Sequence, residues 1–294
     1  MSVSDTLDGA FKGLRATFLP SALAVVILLA PLLVLMNLVA SQIAPEAFGG
    51  LPALFEEFDQ VNAQEPDVVQ DLLFSAVTFL GSFIELLLMA VVGSVVVALV
   101  LQVDRGEKAD FGTAFRSALP VIARTLGMAV LILLTFGVVG FVGILALVAV
   151  LVVEAFIGVI LLLVIGLPVA FAMIVLATGL LMLVPSVTVV EQRGVMDSLK
   201  RVLWVLRRRF WRVVGIGLLL FLLDMAISGA LGLPFFLLSG FVGGFGWAVV
   251  SVGNVLASAV MLPVQILAML LIYLDARARF EGFDLQLRNR WHAT

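Results

Sequence analysis

Two carboxylates stand alone within long apolar stretches of this sequence. Glu85 is the only charged residue between positions 72 and 102, and Asp224 is the only one from Val213 to Leu274. At the centre of a lipid bilayer, an ionised side chain of this kind costs about 2.5–3.5 kcal/mol on insertion scales. Each acid must therefore be protonated, paired with a cation or in contact with water.

Two interpretations of these carboxylates are open. In the first, they form a polar site together with Asn254, which couples protons or cations or binds a cationic or hydroxylated substrate. In the second, each acid is protonated and forms a hydrogen bond with a polar side chain of a neighbouring helix, such as Asn37, Asn254 or Gln265.

Cations cluster in the stretch RRRFWR at positions 207–212. Because guanidinium groups bind phosphate through paired hydrogen bonds, this stretch is a candidate site for anionic lipids of the cytoplasmic leaflet. The other interpretation is a general topology anchor with an aromatic belt residue. The candidate lipid contacts are Arg124, Arg207, Arg208, Arg209, Trp211 and Arg212. A nucleic-acid partner is disfavoured, because the net charge of the chain is −3.

The residues that hydrolytic chemistry needs are scarce. A phosphodiesterase requires several carboxylates and a histidine or a metal pair in a hydrated pocket. The sequence has one histidine, His292, and no cysteine. The acidic stretch 41–71 matches no calcium-loop spacing, so we interpret it as a solvated face. We therefore predict no enzymatic activity and no catalytic, cofactor or metal site.

Composition places the chain in a membrane. Hydrophobic residues make up 63% of its 294 positions and charged residues 13%. Soluble domains contain roughly half and a quarter, respectively. One water-soluble core could not bury so much apolar surface. We expect an all-α polytopic membrane protein that forms a single transmembrane domain over residues 1–294.

The spans follow from the lengths of the apolar stretches. A membrane-spanning helix needs about 20 apolar residues, and six helices account for the pattern, with tight turns near Glu154 and within 239–247. The first stretch is too long for a signal peptide, so we expect it to be retained. The predicted spans are about 19–40, 72–102, 126–152, 156–184, 213–238 and 247–274.

Charge determines the predicted orientation. All 17 Lys and Arg residues fall on one side of this topology, whereas the stretch 41–71 contains none and carries seven acids. By the positive-inside rule, both termini are cytoplasmic. The preference for arginine over lysine is typical of a bacterial source. We therefore expect a multi-pass protein of a bacterial inner membrane.

The polar stretches on the basic side carry amphipathic helices. In 111–122 and in 195–210, apolar residues recur at helical spacing, with basic residues on the flank. Such helices lie in the membrane interface beside anionic headgroups. The predicted amphipathic segments are about 4–17, 110–124, 194–212 and 275–291.

Two of these segments match in spacing. Arg124 follows the pair Arg105-Gly106 by 19 residues, and Arg212 follows Arg193-Gly194 by 19 residues. The N-terminal segment resembles them more loosely. We predict three parallel units, each an interfacial helix followed by a transmembrane hairpin. Transporters contain parallel repeats, and duplication of a simple anchor would produce the same pattern.

The tail carries a further motif within YLDARARFEGFD. Its residues are Tyr273, Asp275, Arg277, Arg279, Glu281, Gly282, Phe283 and Asp284. Together with the basic segment 185–220, this tail resembles the glycerophosphoryl diester phosphodiesterase membrane-domain family. The resemblance implies about six spans and a stand-alone membrane domain without a catalytic domain. Because the stand-alone members are of uncharacterised function, it implies little biochemistry.

These observations favour a non-enzymatic integral membrane protein, which would be a scaffold or a module that binds anionic lipids. A protein partner or a second copy of the chain is a further candidate. The alternative is a small transporter or channel that uses Glu85 and Asp224. A continuous polar cavity that reaches both acids would favour the alternative.

Overall fold

The computed structural model describes residues 3–50, 68–153, 155–192 and 194–281. Helices account for 94% of the structure, and no strand is present in the described ranges. The helices are α1 (Val3–Leu28), α2 (Ala30–Ile43), α3 (Val68–Asp104), α4 (Phe111–Val153), α5 (Ala155–Leu161), α6 (Leu167–Glu191), α7 (Val195–Ser239) and α8 (Gly246–Glu281).

Short irregular turns complete the chain. A π-helical turn, Leu162–Gly166, joins α5 to α6, and a 3₁₀ turn, Gly243–Phe245, joins α7 to α8 within the predicted turn 239–247. A second 3₁₀ turn, Pro45–Phe48, follows α2. Glu154, where the other tight turn is predicted, lies outside the described residues.

Six helical segments in the described part of the chain are long and apolar enough to cross a membrane. They are Ser4–Leu28, Val69–Asp104, Phe111–Val150, Phe156–Glu191, Val195–Ser239 and Gly243–Phe280. The all-α polytopic fold expected from composition is confirmed.

The first predicted span, 19–40, is divided between α1 and α2. Pro31 has no backbone N–H, so one bond of the helical ladder is missing, and the helix is interrupted at Leu29. The ladder otherwise continues, because Leu29 N–H donates to Val25 C=O at 2.8 Å and Leu33 N–H donates to Leu29 C=O at 3.1 Å. The break is therefore local.

The amphipathic segments are continuous with the spans that follow them. Segment 110–124 overlaps the start of α4, and segment 194–212 forms the start of α7. In α7, the backbone leaves helical geometry at Arg209, where φ is −131° and ψ is 25°. The helix therefore kinks four residues before the predicted start of the span at position 213.

The long helices pack in a cyclic order. The inner helices α3, α6 and α8 contact one another. Around them, α1 packs against α8 and α3, α4 packs against α3 and α6, and α7 packs against α6 and α8. Three equivalent units related by rotation would produce this arrangement.

Each inner helix has one continuous stretch that is buried. All residues of 90–99 and 179–189 are buried, as are nearly all of 261–273. Helix packing in lipid depends on close approach and on interhelical hydrogen bonds rather than on a hydrophobic force. Both are present here, because Gly93 lies against Pro185, and the Thr125 hydroxyl bonds to those of Ser94 and Thr188 at 3.2 and 2.8 Å.

Gly93 provides a test of this close approach. A Cβ atom at this position would lie 2.6 Å from Cγ of Pro185 and 3.5 Å from Cδ1 of Ile266. Because the proline ring cannot rotate away, we expect Gly93→Ala to destabilise the fold by about 1–3 kcal/mol, the usual cost of overpacking. The measurement is thermal unfolding in detergent. Gly137→Ala is the control, since nothing lies within 4 Å of its Cβ position, and an equal loss there would contradict the prediction.

The connection between α3 and α4 is held by side chains. The side-chain oxygen of Gln102 accepts a bond from Asp110 N–H at 3.0 Å. The Asp110 carboxylate accepts bonds from the backbone N–H and the hydroxyl of Thr113, both at 2.7 Å. These two bonds, with the backbone bond the stronger influence, hold the pKa of Asp110 below its usual range. Asp110 thus caps the start of α4.

The cap predicts a specific pH dependence. Because the folded-state pKa of Asp110 is lowered, its contribution to stability is complete above the ordinary aspartate pKa of about 3.9. It is lost as the pH falls through the lower folded-state value. We expect the carboxyl carbon of Asp110 to titrate below that of an unstructured aspartate in NMR spectra. A midpoint at or above the ordinary value would contradict the cap.

Candidate functional site

A buried carboxylate links the ends of α6, α7 and α8. Glu191 is the last residue of α6, and its side chain is only 4% exposed. Its Oε1 atom accepts bonds from Arg201 Nε at 2.7 Å and from the Tyr273 hydroxyl, and Arg277 Nε lies 4.0 Å away. One acid therefore binds side chains from two other helices.

A second buried acid, Asp275, gathers more arginines. Its Oδ2 atom lies 2.8 Å from Arg212 and 3.4 Å from Arg209, and its Oδ1 atom lies 3.0 Å from Arg279. The Asp275 side chain is 8% exposed. Together these contacts connect the kink of α7 to the end of α8, because Arg209 and Arg212 belong to α7.

Aromatic rings stack on the same guanidinium groups. Arg201 lies 4.4 Å from the ring centre of Trp204, and Arg208 lies 5.0 Å from Trp204 and 4.7 Å from Phe280. Arg209 also lies over Phe280 at 5.2 Å. Cation–π contacts fix the arginine planes without neutralising their charge. We call this group the arginine cluster; it contains Arg201, Arg208, Arg209, Arg212, Arg277 and Arg279 with Glu191 and Asp275.

The arginine cluster and the neighbouring Arg207 carry surplus positive charge. Among the described residues, Arg207 and Arg208 form no ion pair, and both side chains are exposed. The buried Nε atom of Arg209 has no hydrogen-bond partner there either. Trp211, 83% exposed, lies beside them on α7. An arrangement of this kind can bind an anion through charge-assisted hydrogen bonds.

Arg124 occupies a related position in the preceding hairpin. Its guanidinium group donates to the C=O of Gln192 at 2.6 Å, and Gln192 ends α6 in a left-handed conformation with φ of 51°. Arg212, its counterpart in the predicted repeat, bonds to Asp275 near the end of α8. Each arginine therefore joins the first helix of a hairpin to the end of the second.

The structure brings part of the tail motif into the arginine cluster. Tyr273, Asp275, Arg277 and Arg279 are all members or direct partners of it. The side chain of Glu281 and residues Gly282, Phe283 and Asp284 lie outside the described residues.

Glu191 is not among the site residues predicted from the sequence, although it contacts both α7 and α8. The signal in the sequence is its position three residues before the basic segment 194–212.

The intramembrane acids lie in a different part of the molecule. Glu85 lines a cleft of about 160 Å³ between α2, α3 and α8. The polar lining residues are Asn37, Thr78, Ser82, Glu85 and Asn254, and the others are Leu32, Leu33, Met36, Ala40, Val77 and Gly81. Among the described residues, Glu85 has no hydrogen bond or ion pair.

Asp224 does not line this cleft. Its carboxylate accepts a bond from the hydroxyl of Ser228 at 3.2 Å. Asn37, a predicted partner of the acids, donates instead to Ser251 at 3.0 Å. The structure therefore joins Glu85 and Asn254 in one site, and Asp224 is not part of its lining.

Comparisons with known proteins add no assignment. No family model, curated protein or solved structure matches the chain. The resemblance of the tail and the basic segment 185–220 to a membrane-domain family therefore stays a prediction. Within the described residues, no group of three or more His, Cys, Asp or Glu side chains is placed to hold a metal ion.

The buried position of Glu191 makes its charge important for stability. Removing one partner of a buried ion pair leaves the other charge uncompensated, at a cost of about 3–5 kcal/mol. We expect Glu191→Gln to lower the unfolding free energy by roughly that amount, measured by chemical or thermal unfolding in detergent. Asp197→Asn is the matched control, because its pair with Lys200 is solvent-exposed and contributes about 0–1 kcal/mol. Equal effects of the two variants would contradict the assignment.

Proposed function

We propose that this chain is a non-enzymatic membrane module that binds the phosphate headgroups of anionic lipids at the cytoplasmic face of a bacterial inner membrane. The observation that carries the proposal is the surplus of arginine at the kink of α7. Arg207, Arg208 and the Nε atom of Arg209 lack acidic or hydrogen-bonding partners among the described residues.

Phosphate is the ligand that this geometry fits best. A guanidinium group presents a planar set of donors that matches phosphate oxygens, and it is less strongly hydrated than an ammonium group. Asp275 holds Arg209 and Arg212, and the rings of Trp204 and Phe280 hold Arg208. The arginines are therefore oriented before a ligand arrives, which reduces the entropy lost on binding.

The position along the chain favours a lipid over a soluble anion. The arginines lie where the basic start of α7 gives way to its apolar span, and the exposed rings of Phe210 and Trp211 lie beside them. Tryptophan is enriched at the level of the headgroups in membrane proteins. A phosphate that carries acyl chains would satisfy both the charged and the aromatic parts of this surface.

Packing supports a scaffold rather than a channel. The inner helices α3, α6 and α8 contact one another, and their buried stretches 90–99, 179–189 and 261–273 are mostly apolar. A small transporter or channel is the second candidate, and the cleft at Glu85 favours it. The absence of Asp224 from the lining of that cleft weighs against a pathway that uses both acids.

Exposed arginines allow a direct test of headgroup binding. We expect the purified protein to gain thermal stability when phosphatidylglycerol is added to the detergent, and to retain this lipid in native mass spectrometry. The double variant Arg207→Gln/Arg208→Gln should bind it at least about tenfold more weakly, because each cation near a membrane surface contributes about 1 kcal/mol.

Lys200→Gln serves as the control for general loss of charge. Lys200 is exposed on the same helix but is paired with Asp197. Its removal should leave lipid retention close to that of the wild type. Equal retention of phosphatidylcholine, or equal losses in the control and the double variant, would overturn the proposal.

A further inference from the structure

We infer that the cleft beside Glu85 binds a small organic cation, an alkylammonium group with a few carbon atoms. This site is separate from the headgroup surface. Glu85 precedes Asp104, the last residue of α3, by 19 positions, which corresponds to about 28 Å along the helix. The two proposals can therefore fail independently.

The polar wall of the cleft is suited to an ammonium group. Glu85 supplies a carboxylate that forms no hydrogen bond or ion pair with the rest of the described chain. The hydroxyls of Thr78 and Ser82 and the amide of Asn254 lie in the same lining. The amide nitrogen of Asn37 donates to the Ser251 hydroxyl. The amide oxygen of Asn37 can accept a bond from a ligand. An ammonium group has three donors and no acceptor, which matches a wall rich in oxygen.

The apolar wall distinguishes an organic cation from a metal ion. It consists of Leu32, Leu33, Met36, Ala40, Val77 and Gly81. A hard cation such as calcium takes six to eight oxygen ligands. The side chains of the apolar wall, which is about half of the lining of the cleft, supply no such ligand. Hydrocarbon attached to a cation would contact the apolar wall and leave the charge at Glu85.

Size and charge limit the ligand further. One ordered water occupies about 10–15 Å³ of cavity volume. The cleft, at about 160 Å³, is roughly ten times larger than that and much larger than a bare ion requires. Glu85 is the one acid among its lining residues. A singly charged cation with a short carbon chain fits this combination.

The test is a series of alkylammonium chlorides, from ethyl- to pentylammonium, titrated into the purified full-length protein in detergent. Calorimetry gives the affinity, and thermal unfolding gives an independent readout. We expect saturable binding that strengthens about fourfold per methylene until the cleft is filled. Neutral n-propanol, which has as many heavy atoms as propylammonium, should show no saturable binding.

Variants assign the binding to this cleft. Glu85→Gln should weaken propylammonium binding by about 30-fold or more, because the charged partner is lost. Asp224→Asn is the matched control, since this acid does not line the cleft. The affinity of this variant for propylammonium should stay within a few-fold of that of the wild type. Ser82→Leu fills the cleft without changing its charge, and it should abolish binding. This variant provides a second test in case Glu85→Gln does not fold.

Several outcomes would overturn the inference. They are an equal thermal shift with sodium chloride, equal binding of n-propanol, and unchanged binding in both Glu85→Gln and Ser82→Leu. Arg207→Gln/Arg208→Gln should leave propylammonium affinity unaltered, so a failure of the headgroup proposal does not affect this result.

Discussion

Polar contacts that lipid cannot replace hold this bundle together. Between helices in a bilayer, apolar surface supplies little net attraction, so hydrogen bonds and close packing determine which helices meet and in what register. Glu191 is the centre of such a contact, because one carboxylate receives bonds from α7 through Arg201 and from α8 through Tyr273. Asp275 repeats the arrangement at the kink of α7. The ends of α6, α7 and α8 are therefore fixed by two acids, which also orient the arginines of the proposed headgroup surface.

The fold could be predicted from the sequence because its signals are local. Long apolar stretches define the spans, and even the break at Leu29 has a local cause in Pro31. The Asp275–Arg279 contact could also be predicted, because their spacing of four residues places the two side chains together on a helix. In contrast, nothing near Glu191 in the sequence identifies Tyr273, 82 residues away, as its partner.

The cleft beside Glu85 also depends on residues that are far apart in the sequence. Its lining combines α2, α3 and α8, and Asn37 bonds to Ser251 across 214 residues. Hydropathy marked Glu85 and Asp224 as equivalent, because each is a lone acid in a span. Packing separates them, since only Glu85 faces this space. The chemistry of an intramembrane acid therefore depends on which helices surround it, and that information lies outside its own span.

The cyclic packing has a consequence for biosynthesis. Helix α1 precedes α8 along the chain and enters the membrane before it, yet α8 is one of the two inner helices that α1 contacts. Until α8 arrives, the face of α1 that will contact it must be covered by lipid or by the insertion machinery. Each later outer helix, α4 or α7, meets its earlier neighbour as soon as it enters the membrane. The ring of described helices thus closes between α1 and α8, and this contact is completed only after translation has passed residue 276, the last buried position among the described residues.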